Sequence, residues 1–209
     1  AKTLAAAGVE IGVTCVVTAD NVRHLAGIME MAYYLGNVRK IGFDLLRAQG
    51  RGVGLKAAGA SEVTEGLQQA LAAARRLEQQ TGKKVLFSHT ERVESLAGKK
   101  AAGFAHCHAM NGEAAFVDAA GEVYVWASLS GFPEFRLGNI AAGVDPVKQQ
   151  SISTLIRASM AFCPVCPSFS LCGGGCFARW YGAGLPGKPY LPECALKQVF
   201  IDACRKKCT

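Results

Sequence analysis

No uninterrupted apolar run in the sequence approaches the ~20 residues that a membrane-spanning helix requires, and no positively charged leader followed by an apolar stretch begins it. The expectation is a cytoplasmic protein with no membrane partner. Internal repeats and low-complexity stretches are also missing, which argues against a solenoid and against a compositionally disordered chain. The net charge is +7, yet the lysines and arginines are dispersed and no stripe of aromatic and basic residues accompanies them, so no nucleic-acid partner is expected. No initiator methionine opens the sequence. AKTLAAAGVE reads as the last turns of a helix ending at Gly8, and the chain is expected to be the C-terminal part of something longer.

Cysteine, by contrast, is abundant: nine in 209 residues, half of which are hydrophobic. In a reducing compartment a dense cysteine cluster is more often a metal site than a disulfide framework, and nine is an awkward number for pairing. Six of the nine run in the order Cys107, Cys163, Cys166, Cys172, Cys176 and Cys194, and the middle four read C-x2-C-x5-C-x3-C. Thiolates two residues apart can meet one centre from a single turn, and Gly173, Gly174 and Gly175 let the backbone turn again before Cys176. Zinc and iron–sulfur clusters both take four thiolates. Zinc modules, however, typically use two C-x2-C knuckles. The present spacing, with a distant further cysteine, suits a protein that hands one thiolate to a neighbouring cluster. The surplus cations would partly offset the charge of cluster-bound thiolates.

The N-terminal third reads as alternating strand and helix. The β-branched run Ile11 to Thr18 predicts a buried strand. Asp20 or Asn21 can cap a helix whose Val22, Leu25, Ile28, Met29, Ala32 and Leu35 share a face, and Gly36 ends it. Lys40 to Leu46 predicts a second, parallel strand, followed by a loop marked by Gly50, Gly52 and Gly54. Ser61 to Thr81 reads as a long amphipathic helix with Ser61 as its cap and Gly82 as its stop. Beyond Lys84 the texture changes to short strands, glycine turns and cysteines. A hairpin is expected across Ala115–Asp118 and Glu122–Trp126, and a helix from Pro146 to Ala161 leads into the cysteine loop.

These cysteines carry a resemblance. The segment from Cys107 to Cys194 resembles the SPASM domain, the C-terminal auxiliary-cluster module of radical S-adenosylmethionine enzymes that mature peptides and proteins. The C-x2-C-x5-C-x3-C run, the CGGGC at Cys172 to Cys176, the RLGNI at Arg136 to Ile140 and the closing Cys194 all match. At one position the family pattern is broken: Gly121 and four further residues lead to Trp126 where the family has a cysteine. Upstream, GVTCVVTADN, the helix after it and KIGFDLLRAQGRG are similar to late strands of the radical S-adenosylmethionine partial barrel.

The resemblance implies an α/β fold class. A partial (β/α) barrel remnant would occupy residues 1–60, a linking helix and connector 61–98, and a small α+β cysteine-rich SPASM-type cluster domain 99–209. It implies that Cys163, Cys166, Cys172 and Cys194 bind one [4Fe-4S] cluster, and that Cys107, Cys176 and the Trp126 position belong to a second. The indole N–H only donates, so Trp126 cannot ligate; His106 and His108, flanking Cys107, are the available substitutes. Cys15 reads as strand packing. Cys204 and Cys208, four apart, would share a helix face near the C-terminus.

The function implied is support of electron transfer or substrate binding in a radical maturase acting on a peptide or protein. S-adenosylmethionine would enter only with the N-terminal half, or a separate radical enzyme, that supplies the radical-generating C-x3-C-x2-C motif. That motif is absent from this sequence, and no catalytic residue is assigned. A freestanding iron–sulfur electron-transfer or substrate-presenting module and a structural zinc-binding interaction domain are the alternatives.

Overall fold

A run of β-branched residues followed by an apolar helical stripe forms the expected parallel unit. Strand β1 (Ile11–Val17) leads through a 3-10 turn at Val22–His24 into helix α2 (Leu25–Leu35) and then strand β2 (Val38–Leu45), which pairs with β1 in parallel. A short helix, α1 (Lys2–Ala6), precedes β1, and Gly8 turns the chain at φ 71°. The computed structural model describes residues 2–98, 104, 107–185 and 187–206. The expectations placed on His106 and Cys208, and on a domain boundary at residue 99, lie outside the described residues.

Helix α3 (Ala60–Thr81) is followed by the two-residue strand β3 (Leu86–Phe87), which joins β2 in parallel, and by helix α4 (Ser88–Ala97). The sheet order is β1-β2-β3, so β2 is central and β1 an edge. The sequence predicts a buried β1. The strand instead alternates half-buried and exposed positions and closes only at Val17, as an edge strand covered on one face must.

Both expected helix caps differ in the structure. Asn21 does not cap: its side-chain carbonyl accepts the Thr18 N–H (2.9 Å) and its amide donates to the Val16 carbonyl (2.8 Å), closing the end of β1 instead. Helix α3 starts one residue before Ser61 because the Glu62 carboxylate reaches back to the Gly59 N–H (2.9 Å). Gly36 and Gly82 terminate α2 and α3 in the left-handed conformation, as expected.

A second region is built on an antiparallel meander. Helix α5 (His108–Asn111) precedes β4 (Phe116–Val117), β5 (Glu122–Tyr124), β6 (Arg136–Asn139) and β7 (Gly143–Val144), which pair in that order. The β4–β5 hairpin is the expected one. Its turn is closed by the Asp118 carboxylate, which accepts the N–H groups of Ala120 and Glu122, with Gly121 at φ 81°. Helix α6 (Pro146–Ser159) is capped by Asp145, whose carboxylate accepts from Val147 (2.9 Å) and Lys148 (3.1 Å). Short helices α7 (Phe169–Cys172) and α8 (Phe177–Gly182) and a long α9 (Leu191–Arg205) complete the order.

The protein is thus a mixed α/β chain with one parallel and one antiparallel sheet, and no closed barrel is formed among the described residues. It divides into two compact units, Ala1–Lys100 with Leu191–Thr209, and Ala101–Tyr190. Helix α9 therefore belongs to the first unit rather than to the cysteine-rich stretch it follows. Its Leu196, Phe200 and Ile201 are buried, and Phe200 packs on Phe87 with ring centroids 5.6 Å apart. Among the described residues, no helix is long and apolar enough to cross a membrane.

Candidate metal centre

Successive tight turns build the cysteine loop. Helix α6 stops at Met160, and the N–H of Cys163 then donates to the Met160 carbonyl (2.9 Å), that of Cys166 to Cys163 (3.0 Å) and that of Phe169 to Cys166 (2.9 Å). The N–H of Cys172 closes on Ser168 (2.8 Å). Gly173, at φ 69°, ends α7 by donating to Phe169 (2.8 Å). Gly174 follows at φ 86°, a second left-handed position that no β-carbon favours. Cys176 then opens α8, its carbonyl accepting from Trp180 (3.1 Å). The sequence places cysteines at the corners of these turns, and the backbone hydrogen bonds hold the corners.

Cys107 occupies the N-terminal flank of α5, and α6 fixes that helix. Three polar side chains spaced i, i+4 and i+8 along α6 donate to carbonyls at the far end of α5. Gln149 donates to Gly112 (2.9 Å), Ser153 to Ala109 (3.2 Å) and Arg157 to Met110 (2.8 Å). Arg157 also holds the Asn111 side chain (2.9 Å). The same helix runs into Cys163, so one element orients both cysteine segments. Cys107, Cys163 and Cys176 all pack against the core of the second unit, built on Phe104, Met110, Leu137, Ile156 and Phe177.

All eight described cysteines are thiols outside any disulfide. Five of the six proposed ligands, Cys107, Cys163, Cys166, Cys172 and Cys176, lie in the second unit, whereas Cys194 is exposed on α9 of the first. Beside Cys194, the buried Glu193 faces Lys197 at 3.9 Å. Among the described residues no group of three or more histidine, cysteine or acidic side chains stands close enough to hold a single ion. A [4Fe-4S] cluster takes one thiolate at each of four irons, so its ligands do not share an ion. The donor set, thiol throughout and partly solvent-accessible, fits that chemistry.

The other candidates separate clearly. Trp126 is 39% exposed, so it does not fill the hairpin core. His108 is exposed and directs Nδ1 at the Glu113 carboxylate, 3.1 Å away. Burial pushes the Cys15 thiol up, which keeps it protonated on its half-covered strand and suits packing rather than ligation. Cys204 lies on α9, partly buried. Sequence reasoning misses Phe104, buried at 4% exposure with its ring against Gly174. A lone phenylalanine three residues before a cysteine carries no pattern that would single it out.

No family model matches the chain, and no curated protein matches it. Solved structures do. Histidine-tagged anSMEcpe with bound AdoMet superposes over 98% of this chain and 55% of its own, with a TM-score of 0.70 at 17% identity. Native anSMEcpe with bound AdoMet and Cp18Cys peptide covers 98% and 58%, with a TM-score of 0.70 at 19% identity. The same protein with AdoMet and Kp18Cys peptide gives 0.66 at 18%. These neighbours are anaerobic sulfatase-maturating radical S-adenosylmethionine enzymes with a SPASM domain. At such identities the likeness is one of fold, and the chain spans a little over half the length of the structures it matches.

Proposed function

We propose that this chain is the auxiliary-cluster portion of a radical S-adenosylmethionine peptide or protein maturase. The carrying observation is that a cysteine pattern resembling the SPASM module lies in a chain whose fold follows, over 98% of its length, a radical enzyme of that kind. In this reading the first unit corresponds to late strands of the partial barrel and the second to the SPASM-like module. Cys163, Cys166, Cys172 and Cys194 hold one [4Fe-4S] cluster. Cys107 and Cys176 belong to a second site in which Trp126 stands where the family has a thiolate.

When bound, such a cluster supplies a one-electron acceptor or an iron that holds substrate. The residues of the chain do the rest. The turns from Met160 to Gly173 fix the thiols, and α6 fixes Cys107 through Ser153 and Arg157. Peptide-bound neighbours support a peptide or protein segment as the substrate. The C-x3-C-x2-C motif that such enzymes use to cleave S-adenosylmethionine is absent from this sequence, so radical initiation is assigned to another part or another chain.

Anaerobic reconstitution of the Cys172→Ser and Cys15→Ser variants tests the assignment. The first should lose most of the bound iron and the second should match the parent. Equal loading of all three proteins would refute the ligand set, and zinc in place of iron would favour a structural zinc domain.

A further inference from the structure

We propose that Phe104 is a positioning residue that sets the Cys107 segment against the cysteine loop and thereby holds in place Cys166 and Cys172, two ligands of the proposed [4Fe-4S] cluster. The inference rests on the cluster reading given above. Phe104 meets both cysteine-bearing segments at once. Its carbonyl accepts the Cys107 N–H (3.0 Å), which ties Phe104 to the backbone of that cysteine. Its ring packs edge-on against Phe169, with centroids 5.4 Å apart at 76°. Phe169 is the first residue of α7, whose last is Cys172, and its N–H donates to Cys166.

The ring also lies directly on Gly174, between Cys172 and Cys176. A β-carbon there would fall 2.2 Å from Phe104 Cδ1 and 2.6 Å from Cε1, well inside any permitted contact. Gly174 is thus required twice, for its φ of 86° and for the approach of this ring.

An aromatic ring has two side-chain torsions, and in a close-packed interior it cannot move without moving what it touches. Phe104 touches the loop on both sides of Cys172 while its own backbone holds Cys107. It therefore converts a packing contact into a fixed spacing between two thiol segments. Groups that do not bind a metal but orient its ligands characteristically change affinity by about 10–100-fold when removed.

Phe104 is equally a member of the core, so the test must separate positioning from packing. Val123→Ala removes buried volume from the same core, in β5 rather than in α6 or at the loop, and serves as the comparison. The parent, Phe104→Leu, Gly174→Ala and Val123→Ala proteins are reconstituted anaerobically. Their folding is checked by circular dichroism, and iron loss to a chelator is followed with the electron paramagnetic resonance spectrum of the reduced cluster.

Phe104→Leu and Gly174→Ala should release iron about tenfold faster and shift the resonance. Val123→Ala should lower the melting temperature without changing either readout. A parent-like spectrum and release rate in both loop variants would overturn the proposal while leaving the cluster reading standing, and so would an equal shift in Val123→Ala. A parent chain that binds no iron would overturn both together.

Discussion

Trp126 is the residue at which the second site departs from the family pattern. Exposed as it is, it is not needed by the core, so Trp126→Cys should leave the fold intact and raise the iron content above that of the parent. Iron analysis after reconstitution checks this, and no increase would mean that Cys107 and Cys176 do not form such a site. Gly66 makes the opposite kind of statement. A β-carbon there would lie 2.2 Å from the Val22 carbonyl oxygen, where α3 crosses the turn before α2. Gly66→Ala should cost about 1–3 kcal/mol in urea unfolding, the usual penalty of forced overpacking.

His89 adds a pH dependence. Its ring stacks on Phe200 (4.9 Å), and Nε2–H donates to the Phe43 carbonyl (2.7 Å). Burial pushes its pKa down to about 4, against the raising effect of that hydrogen bond. The folded state therefore resists a proton that the unfolded chain accepts near its ordinary value of about 6.5. Stability from this group is complete above about pH 6.5 and is lost as pH falls towards 4, by at most about 3 kcal/mol. His89→Gln should flatten unfolding free energy over that interval relative to the parent. Identical pH profiles would show that His89 is not the group responsible.

At the scale of elements, α6 matters most because it leads into Cys163 and holds the helix that follows Cys107. Its polar stripe at Gln149, Ser153 and Arg157 is not evident in the sequence, since polar residues at helical spacing read as a solvated face until a partner is seen to meet them. Ser153→Ala should cost about 1 kcal/mol, because it removes one of the two hydrogen bonds to the Ala109 carbonyl and leaves the Gly112 N–H as its donor. Thermal unfolding checks the value, and a neutral result would mean the α5 end is held by its neighbours alone.

The elements that can be read from sequence are those with a long period or firm punctuation: β1, α2, β2, α3 and α6, with Gly36 and Gly82 as stops. Strand β3 has two residues, too few for any period, and declares itself only by pairing with β2. Asn21 and Ser61 do not cap as the sequence suggests because a local competitor wins each time: the end of β1 for Asn21, and Glu62 reaching Gly59 for the start of α3.

For the molecule as a whole, the cysteine spacing is legible in the sequence and the assignment of its last member to a unit is not. Cys194 follows the cysteine loop in sequence, yet its helix is buried among residues of the first unit through Phe200 and Ile201. Such grouping is set by contacts far apart in sequence, which no local pattern encodes. The turns of the loop, in contrast, are foreshadowed by CGGGC, because positive φ at Gly173 and Gly174 is a local property.

The central claim is that four thiolates of this chain hold an iron–sulfur cube. Its most direct test is the iron, acid-labile sulfide and zinc content of the anaerobically purified chain, read together with its visible absorption. The account predicts about four irons and four sulfides per chain with a broad charge-transfer band and no stoichiometric zinc. Stoichiometric zinc on a colourless protein, or no metal at all, would contradict it.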